Sequence, residues 1–168
     1  MTVPKNDPAV RAFRDTLGMF PTGVTVITAR APGGEPIGLT VSSFNSVSLE
    51  PPLVLWSLSA NSPSLGIFES ASHFAVNVLA ANQEEVSNRF ASRLEDKFDG
   101  VAWQPGLGGA PVLAGTCASF ECANVVRHAG GDHLIFIGQV ERCERFDGEP
   151  LAFHAGYYQV TVRHPECV

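Results

Sequence analysis

The stretch Gly38-Leu39-Thr40-Val41-Ser42-Ser43-Phe44 runs from extended apolar residues into small hydroxyl residues where a buried strand would carry bulk. Thr, Val and Phe favour a pleated strand, while Ser42 and Ser43 offer hydroxyls and an uncrowded backbone. Such a segment can bring main-chain N–H and C=O groups close to a flat heteroaromatic ligand. Taken alone, it reads more simply as a strand end turning into a loop, where Ser is common. A second candidate is His133, directly after Gly130-Gly131-Asp132 and ahead of the apolar run 134–140, so that its ring stands at a strand mouth. A lone histidine there is ordinarily a surface residue; Asp132 either orients its imidazole or accepts loop N–H bonds. The third is Lys97, one of two lysines in the chain, in Asp96-Lys97-Phe98. It is either a solvated loop charge or a cation placed for a dianionic phosphate, with Arg89, Ser92 and Arg93 as nearby substitutes.

Other patterns point away from chemistry. Cys117, Cys122, Cys143 and Cys167 form no Cys-x-x-Cys pair and no zinc spacing, and read as reduced structural thiols. The five histidines show no metal-ligand pattern, so no metal site is expected. Gly106-Leu107-Gly108-Gly109 lacks both the Gly-x-Gly-x-x-Gly spacing and the strand-to-helix setting of a phosphate cradle, and reads as a loop.

With 168 residues the chain is long enough for one domain with a sizeable core, taken as 1–168, with 1–6 as a loose tail. Apolar residues at 45% and charged residues at 17% describe a globular protein, and the low charge predicts some apolar surface against another subunit. A net charge of -6 argues against nucleic acid or an anionic membrane as partner. No apolar run reaches membrane-span length and the start lacks a signal peptide's basic and apolar regions, so a cytoplasmic location is expected.

The elements that must carry the candidates follow from local patterns. Asp7 caps a helix with Pro8 in its first turn and Val10, Phe13 and Leu17 on one face, ending near Met19. Residues 24–29 and 37–43 form a β-hairpin around Pro32-Gly33-Gly34-Glu35-Pro36. Pro51-Pro52 closes the next extended piece, 53–58 is a buried strand, and Asn61-Ser62-Pro63 starts a short helix carrying Leu65 and Phe68. A strand follows at 74–79, and then Asn82 with Glu85 makes a capping box for a helix through Phe90. Residues 93–100 are charged and exposed. Strands at 116–126, 134–140, 151–154 and 157–162 complete a chain with many strands and few helices. That pattern predicts a mainly β fold, a Greek-key-like closed antiparallel barrel.

Four pieces in register carry a family resemblance: 20–28, 38–44, 47–54 and 131–140. In this order and at these distances, from about Phe13 to Tyr158, they resemble the flavin reductase family, short NAD(P)H:flavin oxidoreductases that supply reduced flavin to a separate monooxygenase. The resemblance implies an FMN-binding split β-barrel, a homodimer with flavin sites near the subunit interface, FMN or FAD as flavin, and NADH or NADPH as hydride donor. Hydride transfer between two stacked rings demands no acid–base residue, and no catalytic triad is visible.

By the same resemblance, Thr40, Val41, Ser42 and Ser43 line the isoalloxazine and ribityl chain, largely through backbone groups. Ser57, Asn61 and Ser62 match positions near the ribityl-phosphate; without it, Ser57 ends a strand and Asn61 or Ser62 caps the short helix. Lys97 corresponds to a basic position near the flavin phosphate. The Gly-Asp-His element lies over the flavin, with His133 positioning the donor and Tyr157 packing against it or filling a core or dimer role. The sequence departs from the pattern at Phe153-His154-Ala155-Gly156-Tyr157-Tyr158, where family members often carry a basic residue before the Gly-x-Tyr-like element. That departure leaves only a lean towards NADH over NADPH. Two alternatives compete: a non-catalytic FMN carrier, which needs neither His133 nor its glycines, and a pyridoxamine-phosphate-oxidase-like enzyme. The latter needs a basic cluster that 11 scattered Lys and Arg residues do not readily supply.

Overall fold

A computed structural model of the chain describes residues 7–164; the expected loose tail at 1–6 and Cys167 lie outside them. The fold is mainly β with a few short helices. A seven-stranded sheet has the order β3-β2-β6-β9-β10-β5-β4, and a three-stranded sheet the order β1-β11-β12. The large sheet contains β2 (Thr25–Arg30), β3 (Pro36–Val41), β4 (Asn45–Leu49), β5 (Pro52–Ser59), β6 (His73–Val78), β9 (Ala118–Gly130) and β10 (His133–Arg145). The small one contains β1 (Thr22–Gly23), β11 (Leu151–His154) and β12 (Tyr157–Val160), while β7 (Trp103–Pro105) pairs only with β8 (Pro111–Leu113). All pairings are antiparallel, including the expected hairpin of β2 and β3. Although β3 and β4 stand at opposite ends of the strand order, only residues 42–44 join them.

Apolar side chains on β5, β6 and β10 form one core. Trp56 stacks on Phe136 with ring centroids 4.5 Å apart and meets Phe68 edge-on at 5.0 Å. A second core holds Val24, Val26, Leu79, Phe90, Leu113 and Leu151, and joins the large sheet to the small one. The buried Asn77 fixes β8 against the sheet. Its Nδ2 donates to the Val26 carbonyl at 3.0 Å, and its Oδ1 accepts the Leu113 N–H at 2.8 Å.

Three helices complete the fold: α1 (Pro8–Leu17), α2 (Leu65–Ser70) and α3 (Glu84–Ala91). The Asp7 carboxylate caps α1 as expected, accepting the Ala9 N–H at 2.8 Å. Among the described residues, that helix has no fully buried side chain, and of its apolar face only Val10 is partly covered. The capping box expected from Asn82 and Glu85 does not form. The N-cap of α3 is Gln83, with no side-chain bond to the helix. Gln83 instead accepts the Ala80 N–H at 3.0 Å and donates to the Ala114 carbonyl at 2.8 Å. One local bond and one to a residue 31 positions away thus fix this helix start in place of the expected capping box. Among the described residues, no helix is long and apolar enough to cross a membrane, and no group of three or more His, Cys, Asp or Glu is placed to hold a metal ion.

Candidate functional site

A cavity of about 590 Å³ opens beside β3, lined by residues 36–39, Leu58, 62–64 and 92–98. Three parts of the chain build it. The first is the β3 edge strand, which α3 covers: the Thr40 hydroxyl donates to the Ser87 carbonyl at 2.7 Å. Gly38 is buried there because a Cβ would come within 2.6 Å of the Phe90 ring, so only glycine lets helix and strand approach this closely. The second part is the turn after β5, where the Ser62 hydroxyl accepts the Ser64 N–H at 3.3 Å. The third is the segment after α3, which carries Lys97.

Lys97 is half-buried, and its ammonium donates to the Phe90 carbonyl at 2.8 Å and the Gly38 carbonyl at 3.4 Å. It therefore closes the last turn of α3 and ties it to β3, where a cation meets the negative end of the helix dipole. Burial pushes its pKa below the ordinary lysine value. An ammonium has three donors, so one remains for a ligand in the cavity. Arg93 and Ser92 line the same cavity, whereas Arg89 donates to the Asp96 carbonyl at 3.4 Å and braces the loop from outside.

The segment 40–43 is anchored by hydroxyls at both ends. Besides the Thr40 bond, the Thr25 hydroxyl donates to the Val41 carbonyl at 3.2 Å, and Val41 packs on the first core. Ser43 reaches across to β5: its Oγ accepts the Ser57 N–H at 3.0 Å and donates to the Ser57 carbonyl at 3.2 Å. Ser42 is exposed between these anchors. The cavity itself is lined by the first four residues of β3, at 36–39, so residues 40–43 stand at its side, not in its wall. Periodicity locates the strand but not which part of it the helix leaves open.

His133 is exposed at the start of β10, opposite Ser59 on β5. Gly131, at φ +69°, makes the tight turn before it. The turn is docked on the end of β5, since the Ala60 N–H donates to the Asp132 carbonyl at 2.9 Å. His133 Nδ1 lies 2.8 Å from Asp132 Oδ1, and this bond and the histidine's charge hold the Asp132 carboxyl below the usual carboxylate range. The exposed Asn61 belongs to the same corner. Thus the end of β5 places Asn61, Ser62 and the Asp132-His133 turn side by side. Tyr157 stands apart, exposed on β12 opposite His154 in the small sheet. Sequence reasoning missed Ser64 and Leu58 as lining residues; the cue for Ser64 was its place in the Asn61-Ser62-Pro63 turn.

The remaining signals are structural. Cys117, Cys122 and Cys143 are free thiols, and burial foremost pushes the Cys122 pKa up to about 12, which leaves it an unreactive thiol. The 106–109 turn cradles no external anion, because the buried Glu121 carboxylate accepts the Leu107 N–H at 2.6 Å.

Comparison with known proteins agrees with this geometry. Residues 17–161 match the family described as flavin reductase like domain. FMN reductase (NADH) SmoA of Agrobacterium fabrum is 49% identical over 148 residues, covering 88% of this chain and 84% of that protein. The flavin-dependent monooxygenase reductase subunit HsaB of Mycobacterium tuberculosis is 41% identical over 151 residues, covering 88% and 80%. Among solved structures, the NADH:FAD oxidoreductase SgcE6 of Streptomyces globisporus, in complex with NAD and FAD fragments, superposes with a TM-score of 0.86. It is 38% identical, with 100% of this chain and 99% of that one covered. A match over nearly the whole chain, with the Gly-Asp-His turn and the hydroxyl-rich end of β3 gathered at the end of β5, places this protein in the flavin reductase family.

Proposed function

We propose that the chain is a flavin reductase that oxidises NADH, or less readily NADPH, and delivers reduced FMN or FAD to a partner monooxygenase. The observation that carries this reading is the assembly of three ligand-holding features at one end of β5. They are the half-buried Lys97 ammonium, the serine turn 62–64, and the docked Asp132-His133 pair. The residues present fit a flavin nucleotide. A cavity of about 590 Å³ lies in the range of small-molecule sites, and apolar Ile37, Leu39 and Leu58 line it beside polar Ser62 and Lys97.

A bound flavin supplies the two-electron acceptor that no side chain of this protein offers. The chain's own work is binding and orientation. Lys97 would hold the phosphate, Ser57, Asn61 and Ser62 the ribityl side, and Thr40, Val41, Ser42 and Ser43 the ring edge. His133, its imidazole tethered through Nδ1 to Asp132, would position the nicotinamide nucleotide with its other ring face and Nε2. Tyr157 lies in another sheet of the protomer, so a role against the donor would need a second subunit or another arrangement. The likeness to SmoA, an FMN reductase (NADH), and to SgcE6, an NADH:FAD oxidoreductase, favours NADH, and the likeness to HsaB, a monooxygenase reductase subunit, favours a monooxygenase partner.

The same reading treats residues 1–168 as a single cytoplasmic domain, its large sheet curled into a split barrel and paired as a homodimer. In support of curling, three linking residues span at most about 14 Å between Val41 and Asn45, whereas β3 and β4 in a flat sheet of this order would lie about 29 Å apart. The deciding experiment follows absorbance at 340 nm with NADH or NADPH, with and without FMN, FAD and riboflavin. Flavin-dependent oxidation is the expected result and ranks both substrates. Tight FMN binding without oxidation would instead make the protein a flavin carrier, and neither would end the flavin reading.

A further inference from the structure

The ladder between β4 and β5 ends at the pair Asn45 and Leu55. Continued in register, the next pair would be Phe44 with Trp56 and the one after it Ser43 with Ser57, and there the structure changes partners. The Ser57 N–H and carbonyl are both satisfied, but by the Ser43 side chain, at 3.0 and 3.2 Å. A hydroxyl can do this because it combines one donor with acceptor lone pairs. The main-chain groups of Ser42 and Ser43 are thereby spared. Neither residue belongs to a strand ladder, and among the described residues their N–H and C=O groups have no backbone partner.

We infer that Ser43 is a positioning residue: its hydroxyl stands in for a backbone pair with Ser57 and so keeps the main chain of residues 42–43 free to bond the edge of a flat ligand. This rests on the flavin-reductase reading. Two further anchors make the arrangement stiff. Thr40 is tied to the Ser87 carbonyl at 2.7 Å on one side, and Phe44 packs against Phe120, with ring centroids 5.6 Å apart, on the other. Residues 42–43 are held between these points as a short span off the ladder. Without the hydroxyl, two half-buried groups of Ser57 lose their partner, or the span closes onto β5 and pairs its own N–H and C=O there. The second outcome uses up the free groups, and the first unties the span that holds them in place. The role differs from that of Lys97, because it concerns the ring and not the phosphate.

The test uses the full chain with Ser43→Ala and Ser43→Thr, measuring flavin affinity by fluorescence quenching together with the KM for NADH at saturating flavin. The alanine variant is expected to weaken FMN and riboflavin alike, by about tenfold, with the NADH KM within about twofold of the original. Threonine, which keeps the hydroxyl, is expected to restore most of the affinity. Unchanged flavin affinity in Ser43→Ala overturns the positioning role, whether or not its melting temperature falls. If that variant does not fold, Ser43→Cys decides, since a thiol bonds weakly: it should bind flavin less tightly than Ser43→Thr, and equal affinities overturn the inference. An unsubstituted protein that binds no flavin would overturn the flavin reading itself, a result separate from any variant's.

Discussion

His133 and Lys97 differ in how much of each side chain is already committed. His133 is exposed, and among the described residues its side chain bonds only its neighbour Asp132, at 2.8 Å, so removal of the imidazole disturbs little of the fold. Substitution of His133 by Ala is expected to raise the KM for NADH about fivefold, the worth of one hydrogen bond of about 1 kcal/mol, with flavin affinity nearly unchanged. Unaltered NADH kinetics would remove its donor-positioning role. Lys97 already bonds two carbonyls, and only its remaining donor is free for phosphate. Lys97→Met is therefore expected to weaken FMN binding about tenfold while riboflavin, which has no phosphate, changes little. Equal losses for both ligands would mean that Lys97 serves only as a clamp. Its lowered pKa has a definite sign. Between the folded value and the ordinary 10.5, the unfolded chain binds more protons, so the Lys97 contribution to stability rises with pH there. Chemical denaturation across that alkaline window should show the rise in the original protein and not in Lys97→Met.

Helix α3 is the strut of the site. Ser87 accepts the Thr40 hydroxyl through its carbonyl, and the Tyr158 hydroxyl lies 2.8 Å from Ser87 Oγ and 2.9 Å from Asn88 Oδ1. The helix thus links the cavity edge of β3 to β12 in the small sheet. Its Phe90 ring fills the space left by the missing side chain of Gly38 and meets Phe98 edge-on at 4.9 Å. Gly38→Ala would put a methyl 2.6 Å from that ring and 3.3 Å from the Thr28 methyl, and both side chains are fully buried, so neither can swing into solvent. The expected cost is about 1–3 kcal/mol, read as a lower denaturation midpoint, with weaker flavin binding as the loop carrying Lys97 shifts. A midpoint within error of the original would show that α3 can move away from β3 freely.

Across the whole molecule, exposed apolar side chains among the described residues occur on β4, on β9 and in loops, and one group of them lies on and just after α1 beside the small sheet. Phe13 is 66% exposed, Leu17 58%, Met19 63% and Phe20 70%, although α1 has a well-formed cap and a regular apolar stripe. The Ala155 N–H donates to the Gly18 carbonyl at 2.8 Å, which brings the end of this helix beside the turn into β12 and its exposed Tyr157 and Val160. An apolar surface of this kind is normally covered in solution. The proposed homodimer is expected to sediment at twice the 17.9 kDa of one chain. Phe13→Glu with Leu17→Glu should shift it towards monomer without lowering the stability of the single fold, since neither side chain is in its core. An unsubstituted protein that sediments as a monomer at micromolar concentration would reject the dimer.

Much of what depends on near neighbours was legible in the sequence, the capping box of α3 excepted. Asp7-Pro8 marks the start of α1, the Pro- and Gly-rich turn at 32–36 marks the β2–β3 hairpin, and Gly130-Gly131-Asp132-His133 marks the turn into β10. The family resemblance then identified the chemistry through motifs in register. What depends on distant partners was not legible. Gln83 displaces the expected cap of α3 with its amide held by Ala114, 31 residues away, as well as by the nearby Ala80, and two of the three Lys97 donors are spent on carbonyls 7 and 59 residues away. The pairing of Ser43 with Ser57 crosses 14 residues and the seam between strands at opposite ends of a sheet. Short-range propensity selects each element, but a polar side chain bonds whatever unpaired group the folded chain brings within about 3 Å, and that depends on topology alone.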